Sequence, residues 1–261
     1  MANRLLTDQM GRQVEIVNQP QSIISLVPSQ TELLVDLGLG DRLVGRTKFC
    51  IHPEDHVKQI PSVGGTKKVK LDKIAELQPD LIIGNKEENE QEQIEVLASQ
   101  YPVWMSDISN LDDALGMIQS VGELVNKKSE SEMMSAKITD SFESVKDLIR
   151  GRVVYLIWDR PIMTAGSGTF IDDMLCRMGM TNAIQQPRYP ELTIEELKSV
   201  APDYLFLSSE PYPYRQTHLE QYQEQLPHTK VALVDGEMFS WYGSRLLQSP
   251  NYFRNLALEL S

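Results

Sequence analysis

Leu71–Gly84 reads LDKIAELQPDLIIG, and the chain contains a second copy of it. Aligned on Pro79-Asp80 and Pro202-Asp203, the second copy is Thr193–Ser208, TIEELKSVAPDYLFLS. Asp72 falls on Glu195, Ile74 on Leu197, Leu77 on Val200 and Ile82 on Leu205. Each copy predicts an amphipathic helix, a proline that stops it and a short apolar run fit for a buried strand. One helix-loop-strand unit in each half predicts an α/β fold of two similar Rossmann-like lobes, with a ligand cleft between them.

The rest of the chain is read outward from the repeat. Residues 4–17 alternate apolar and polar around Met10-Gly11, a hairpin signal. Strands are expected over Ser22–Val27, from Leu43 to Gly45, over Leu81–Ile83 and at Val103-Trp104-Met105 in the first half. In the second half they fall over Val153–Trp158, Tyr204–Leu207 and Val231–Val234. Ser29 and Glu32 have the S-x-x-E spacing of a capping box for a helix that ends near Gly38. A helix over Phe170–Met178 ends at Gly179, and Ser249-Pro250 opens the last helix.

Residues 110–149 lack proline and read as helix, with a possible break at Asn126-Lys127-Lys128. Met134, Ile138, Phe142, Val145 and Ile149 then form one apolar stripe on a helix of about 20 residues, roughly 30 Å long. Such a helix would be a stiff connector between lobes, or an ordinary core helix. The expected division is therefore residues 1–109 as the N-terminal lobe, 110–150 as a helical connector and 151–261 as the C-terminal lobe.

Composition limits the function classes. The 261 residues include 37 acidic and 25 Lys or Arg side chains, a net charge of −12. This argues against nucleic acid and anionic membrane surfaces, which need basic patches. The two cysteines make neither a disulfide framework nor a CxxC metal site. No run approaches the roughly 18 apolar residues of a membrane span, and the N-terminus lacks the apolar stretch of a signal peptide.

Ligands of open α/β sheets bind beyond the carboxyl ends of the strands. The segments in those places are Pro28–Glu32, Lys48–His52, Asn85–Asn89, Asp159–Thr169, Glu210–Arg215 and Glu237–Arg245. With Trp158 at its strand's end, they concentrate Phe49, Cys50, Arg160, Tyr212, Tyr214, Arg215, Trp241, Tyr242 and Arg245. Aromatic groups supply apolar area with a polar handle, and arginine supplies a fork of donors for carboxylates. That is the make-up of a pocket for a large, partly planar, polar ligand. The same aromatics could instead pack each loop onto its own lobe.

Sharper chemistry does not assemble. Pro53 interrupts a metal-ligand reading of Cys50, His52 and His56. Gly166-Ser167-Gly168 lacks the lysine of a phosphate-binding loop and reads as a tight turn. Ser244 lies in no nucleophile elbow, and Glu87-Glu88 read as acids at a helix start. No catalytic residues, metal ligands or intrinsic cofactor are expected, and the chain is read as a non-enzyme.

SLVPSQTELLVDLGLGDRLVGRT, VGGTKKVKLDKIAELQPDLIIGNKEEN, MTAGSGTFIDDML and SWYGSR together carry a resemblance that spans nearly the whole chain. It resembles the substrate-binding proteins of bacterial ABC importers for vitamin B12, haem and ferric siderophores, the class III periplasmic binding proteins. The resemblance implies two lobes joined by a single long backbone helix, and a chelate held between them. It places Phe49 or Lys48, and Tyr189, at aromatic ligand contacts, and Thr66, Asn85 and Met163 where larger aromatics occur. It also implies that Asp72 and Glu195 dock onto arginines of an ABC transporter permease.

The expected function is that of an importer's substrate-binding protein, a monomer that captures a corrinoid such as vitamin B12, haem or a ferric siderophore. The alternative is a cytoplasmic ligand-binding or metal-cofactor-handling protein on the same fold. Family members are exported, which implies a periplasmic or cell-surface location; no signal peptide is read in this sequence, and a cytoplasmic location is the alternative.

Overall fold

The computed structural model describes residues 3–261. The chain divides into two compact units. The first comprises the residues up to Ile108, Asp112–Lys137 and Tyr242–Arg245; the second comprises Ser109–Leu111, Ile138–Trp241 and Leu246–Ser261. The division falls inside the 110–150 stretch that the sequence sets apart as a connector. It also groups four residues of the SWYGSR motif with the first unit.

The first unit opens with a hairpin of β1 (Asn3–Thr7) and β2 (Gln13–Val17), turning where Asp8 accepts from the Met10 and Arg12 N–H groups. Then follow β3 (Ile23–Ser25), α1 (Pro28–Asp36), β4 (Leu43–Arg46), α2 (Glu54–Val57), α3 (Leu71–Leu77), β5 (Leu81–Asn85), α4 (Gln91–Ala98), β6 (Val103–Ser106) and α5 (Leu111–Leu124), and α6 (Lys128–Glu143) runs from the first unit into the second after Lys137. The four central strands form a parallel sheet in the order β4-β3-β5-β6. Ile23–Ser25 and Leu81–Asn85 are buried along their whole length, as strands covered on both faces must be. Ile24, Leu26, Ile74, Ile82, Leu97 and Met105 are part of the core.

The second unit contains β7 (Arg152–Trp158), β8 (Ile162–Thr164), α7 (Phe170–Arg177), β9 (Thr181–Asn182), β10 (Glu191–Leu192), α8 (Ile194–Val200), β11 (Tyr204–Ser208), α9 (Gln216–Gln225), β12 (Lys230–Val234), α10 (Gly236–Ser240) and α11 (Ser249–Leu260). Its sheet has the order β10-β8-β7-β11-β12, with β9 also on β7. β7, β11 and β12 are parallel, and β8 is antiparallel to β7. Val154, Leu156, Leu197, Leu205, Leu207 and Tyr222 anchor its core.

The repeat that organises the sequence is repeated in detail. α3 and α8 are each seven residues long, and each stops at a left-handed residue before proline, Gln78 at φ 45° and Ala201 at φ 43°. The aspartate after each proline then ties the start of its own β-strand to the start of the neighbouring one. Asp80 Oδ2 accepts from the N–H groups of Gln21 and Ser22 just before β3, at 2.9 and 3.1 Å. Asp203 Oδ2 accepts from the N–H of Arg152, the first residue of β7, at 2.7 Å.

Two local readings need correction. The S-x-x-E at Ser29 and Glu32 is not a capping box: Pro28 opens α1, Val27 is its cap, and no side chain caps it. The capping box is at Thr193 and Glu196, where the Thr193 hydroxyl accepts from the Glu196 N–H and the Glu196 carboxylate from the Thr193 N–H. The second concerns α6, which has 16 residues and ends at Glu143, short of the expected Ile149. Ser144 and Val145 bond back three residues, to Ser141 and Phe142, and Asp147 turns to φ 56°. Val145 stays buried because its three-residue step from Phe142 suits that tighter turn as well as it suits a helix, and Ile149, beyond the turn at Asp147, is buried with its N–H donating to the Met178 carbonyl.

Candidate functional site

In each unit's main sheet the chain reverses its direction of winding at one place, and loops diverge there to leave room for a ligand. In the first unit that place is between β3 and β5, and in the second between β7 and β11. The two are built from different chemistry.

The first is a closed polar knot. Gln30 Nε2 donates to Ser106 Oγ at 2.6 Å, and Asn85 Nδ2 donates to the same oxygen at 3.0 Å. Asn85 Oδ1 accepts from the Glu87 and Glu88 N–H groups, and Asn89 Oδ1 from the Asn85 N–H. Asn89 Nδ2 also reaches the Thr66 carbonyl at 3.0 Å. Asn85 is thereby committed to shaping its loop. Glu88 is half-buried in that loop, and burial pushes its carboxyl above the usual range, with Lys67 opposing.

Beside the knot, the Cys50 thiol is fully buried between two hydroxyls, at 3.0 Å from Thr31 Oγ1 and 3.2 Å from Thr47 Oγ1. Burial raises its pKa and keeps it a thiol. Phe49 next to it is exposed, with the Lys48 ammonium 4.8 Å above its ring. Among the described residues, no three His, Cys, Asp or Glu side chains are placed to hold a metal.

Arg245 is also in the first unit. Gly243 packs so closely on the start of α1 that an added Cβ would be 2.8 Å from the Ser29 carbonyl oxygen. This approach brings the Arg245 guanidinium onto Glu32, Nε to Oε2 at 2.9 Å and Nη2 to Oε1 at 2.6 Å. Both side chains are buried. Desolvation outweighs the arginine and leaves the Glu32 carboxyl above its usual range.

The second unit's reversal point is aromatic. Trp158, at the end of β7, is 39% exposed and meets the half-buried Tyr212 edge to face, ring centres 5.5 Å apart. Behind Tyr212 are Tyr214 at 4.8 Å and the His218 ring at 5.4 Å. Tyr222 donates to Asp159 at 3.0 Å, and Asp159 also pairs with Arg160, whose side chain is otherwise in solvent. Burial raises the pKa of both Tyr214 and Tyr222. Arg215 is exposed at the start of α9.

The remaining sequence-predicted residues are distributed as follows. Trp241 is buried, and its Nε1 donates to Glu210 Oε1 at 2.8 Å. Tyr242 is buried. Thr66 and Tyr189 are half-buried, with the Arg188 guanidinium 5.6 Å from the Tyr189 ring. Asp72 and Glu195 are both exposed in the first turns of α3 and α8. The Gly166-Ser167-Gly168 turn has all three N–H groups occupied, by Arg188 O, Gln186 O and Asp172 Oδ2, so none points at an anion.

Sequence reasoning missed Glu32 as the partner of Arg245, and His218 behind Tyr212. The signal for His218 was its place three residues after Arg215, at a helix start. A groove of about 460 Å³ lies away from these loops, between β2 and the turn before β6.

Two α/β units with carboxyl-end loops of this kind define a class of ligand-binding protein. The chain belongs to the periplasmic binding protein family, whose pattern matches residues 23–227. A vitamin B12-binding protein of Vibrio campbellii is 26% identical over 195 residues, covering 72% of this chain and 70% of that one. The uncharacterised ABC transporter substrate-binding lipoprotein YvrC of Bacillus subtilis is 26% identical over 258 residues, 93% of this chain and 82% of its own. The periplasmic haem-binding protein RhuT of Roseiflexus sp. RS-1 shares the fold, with a TM-score of 0.78, 20% identity and coverage of 91% and 99%. Among the described residues, no helix is long and apolar enough to cross a membrane.

Proposed function

We propose that this chain is the substrate-binding protein of an ABC importer, and that it captures a metal chelate and delivers it to a permease. The chelate is a corrinoid, haem or a ferric siderophore. The family supports the binding role, and the B12-binding and haem-binding relatives support the ligand class. The observation that carries the reading is the Trp158–Tyr212 pair, aromatic and solvent-facing, at the place where a sheet of this type receives its ligand.

In this reading the twelve candidate residues divide by what they do. Phe49, Trp158, Arg160, Tyr189, Tyr212 and Arg215 touch the ligand. Cys50, Thr66, Asn85, Trp241, Tyr242 and Arg245 are buried or half-buried and hold the loops in shape. Asp72 and Glu195 are the permease contacts, and the family and the B. subtilis lipoprotein relative support a location outside the cytoplasm.

The experiment is a melting-temperature screen against cobalamin, cobinamide, haem and ferric siderophores. A ligand at 100 times its Kd stabilises the folded state by about 2.7 kcal/mol. One chelate class should raise the melting temperature by several degrees; no shift with any of them contradicts the proposal.

A further inference from the structure

We infer that His218 is a positioning residue: it holds Tyr212 so that the phenol hydroxyl is a hydrogen-bond donor to the ligand. The ligand is then a flat molecule rimmed by carbonyl or carboxylate oxygens. This inference rests on the proposed binding role of the Trp158–Tyr212 corner and adds what that corner recognises.

The argument begins with a proton. The Arg215 backbone N–H donates to His218 Nδ1 at 3.0 Å. A backbone N–H has no other role, so Nδ1 carries a lone pair and the imidazole proton is on Nε2. Nε2 lies 3.1 Å from the Tyr212 hydroxyl oxygen. With the proton on Nε2, the histidine donates and the phenol oxygen accepts. The phenol's own proton is then directed away from the histidine.

The Tyr212 ring itself is held from two sides. Tyr214 packs edge-on against both rings, at 4.8 Å from Tyr212 and 5.5 Å from His218. Trp158 closes another side at 5.5 Å. This corner therefore offers the exposed Trp158 ring, the Tyr212 O–H turned away from the histidine, and the donors of the exposed Arg160 and Arg215. It presents donors and an apolar face, which match a planar ligand with oxygen acceptors at its rim.

Two substitutions separate positioning from capping. His218→Asn places an oxygen where Nδ1 is, keeps the acceptor for the Arg215 N–H and loses the reach to Tyr212. His218→Gln places a donor near the Nε2 position and loses the cap. Three readouts apply to the intact chain: ¹⁵N spectra of His218, acrylamide quenching of Trp158, and titration with dicyanocobinamide, haem and a ferric catecholate.

The expected spectrum has an unprotonated Nδ1 and a protonated Nε2. His218→Asn should increase Trp158 quenching and weaken chelate binding about tenfold, the size of one hydrogen bond. His218→Gln should bind within about threefold of wild type despite a lower melting temperature. A protonated Nδ1, or a His218→Asn variant that matches wild type in both quenching and affinity, overturns the inference. If the wild type binds none of the three chelates, the importer reading fails, and the spectrum with the quenching still decides the position of Tyr212.

Discussion

Arg245 grips both carboxylate oxygens of Glu32 from 213 positions away in the chain, at 2.9 and 2.6 Å. Burial alone would neutralise Glu32, and the fork geometry of the guanidinium is what opposes it. Arg245→Ala leaves a buried carboxylate without its partner, and urea unfolding should show a loss of about 3–5 kcal/mol. Arg245→Met with Glu32→Gln should recover most of it, since no buried charge then lacks a partner. A loss under about 1 kcal/mol in the single variant would show that the pair is dispensable. Arg245→Ala is for this reason unsuitable as a probe of ligand binding.

Glu88 predicts a dependence of stability on pH. Its folded-state pKa is raised by burial, so the folded protein binds more protons than the unfolded chain. Stability must then fall as pH rises from about 4.5 through the raised folded value. Glu88→Gln removes that fall. The variant should be more stable than wild type at neutral pH, with the gain vanishing below about pH 4.5, measured by thermal unfolding across pH. A constant difference at all pH values would contradict the assignment.

The paired aspartates of the repeat are not equal. Asp80 takes two backbone N–H groups and is half-buried, whereas Asp203 takes one and is exposed. Asp80→Ala should cost about 1–3 kcal/mol and Asp203→Ala about 1 kcal/mol or less, because the groups left behind in the first case reach water poorly. Chemical denaturation orders the two; a reversed order would mean the N–H groups find other partners.

Most of the fold was legible because it is carried by local patterns. Ile23–Ser25, Leu81–Asn85, Arg152–Trp158 and Tyr204–Ser208 are apolar runs beside turn residues, and each became a strand where it was expected. Contacts across distance were not legible. Ser29 and Glu32 have capping-box spacing, yet Glu32 answers to Arg245, which no local pattern reveals. The reading of one helix through Ile149 fails for a related reason. Phe142 and Val145, three residues apart, suit a helix face and a tight turn equally, so the stripe marks burial without fixing the backbone. At the site, the sequence identified which loops carry aromatics and arginines. It could not separate exposed Trp158 from buried Trp241, because exposure depends on whether Glu210 captures the indole.

The proposed permease contacts make a charge-reversal prediction. Asp72 and Glu195 are exposed and make no contribution to either unit's core. Asp72→Lys with Glu195→Lys should leave melting temperature and chelate affinity unchanged while abolishing stimulation of the importer's ATPase in reconstituted vesicles. Full stimulation by the double variant would remove these two residues from the docking surface.

The central claim is that the carboxyl-end loops bind a metal chelate, and a visible-absorbance titration tests it most directly. Wild type and Trp158→Ala are titrated side by side with dicyanocobinamide, haem and a ferric catecholate. The account predicts that one chelate binds wild type with a Kd of about micromolar or tighter, near −8 kcal/mol, and Trp158→Ala at least about tenfold more weakly. Binding no tighter than about millimolar for all three, near −4 kcal/mol, would contradict it.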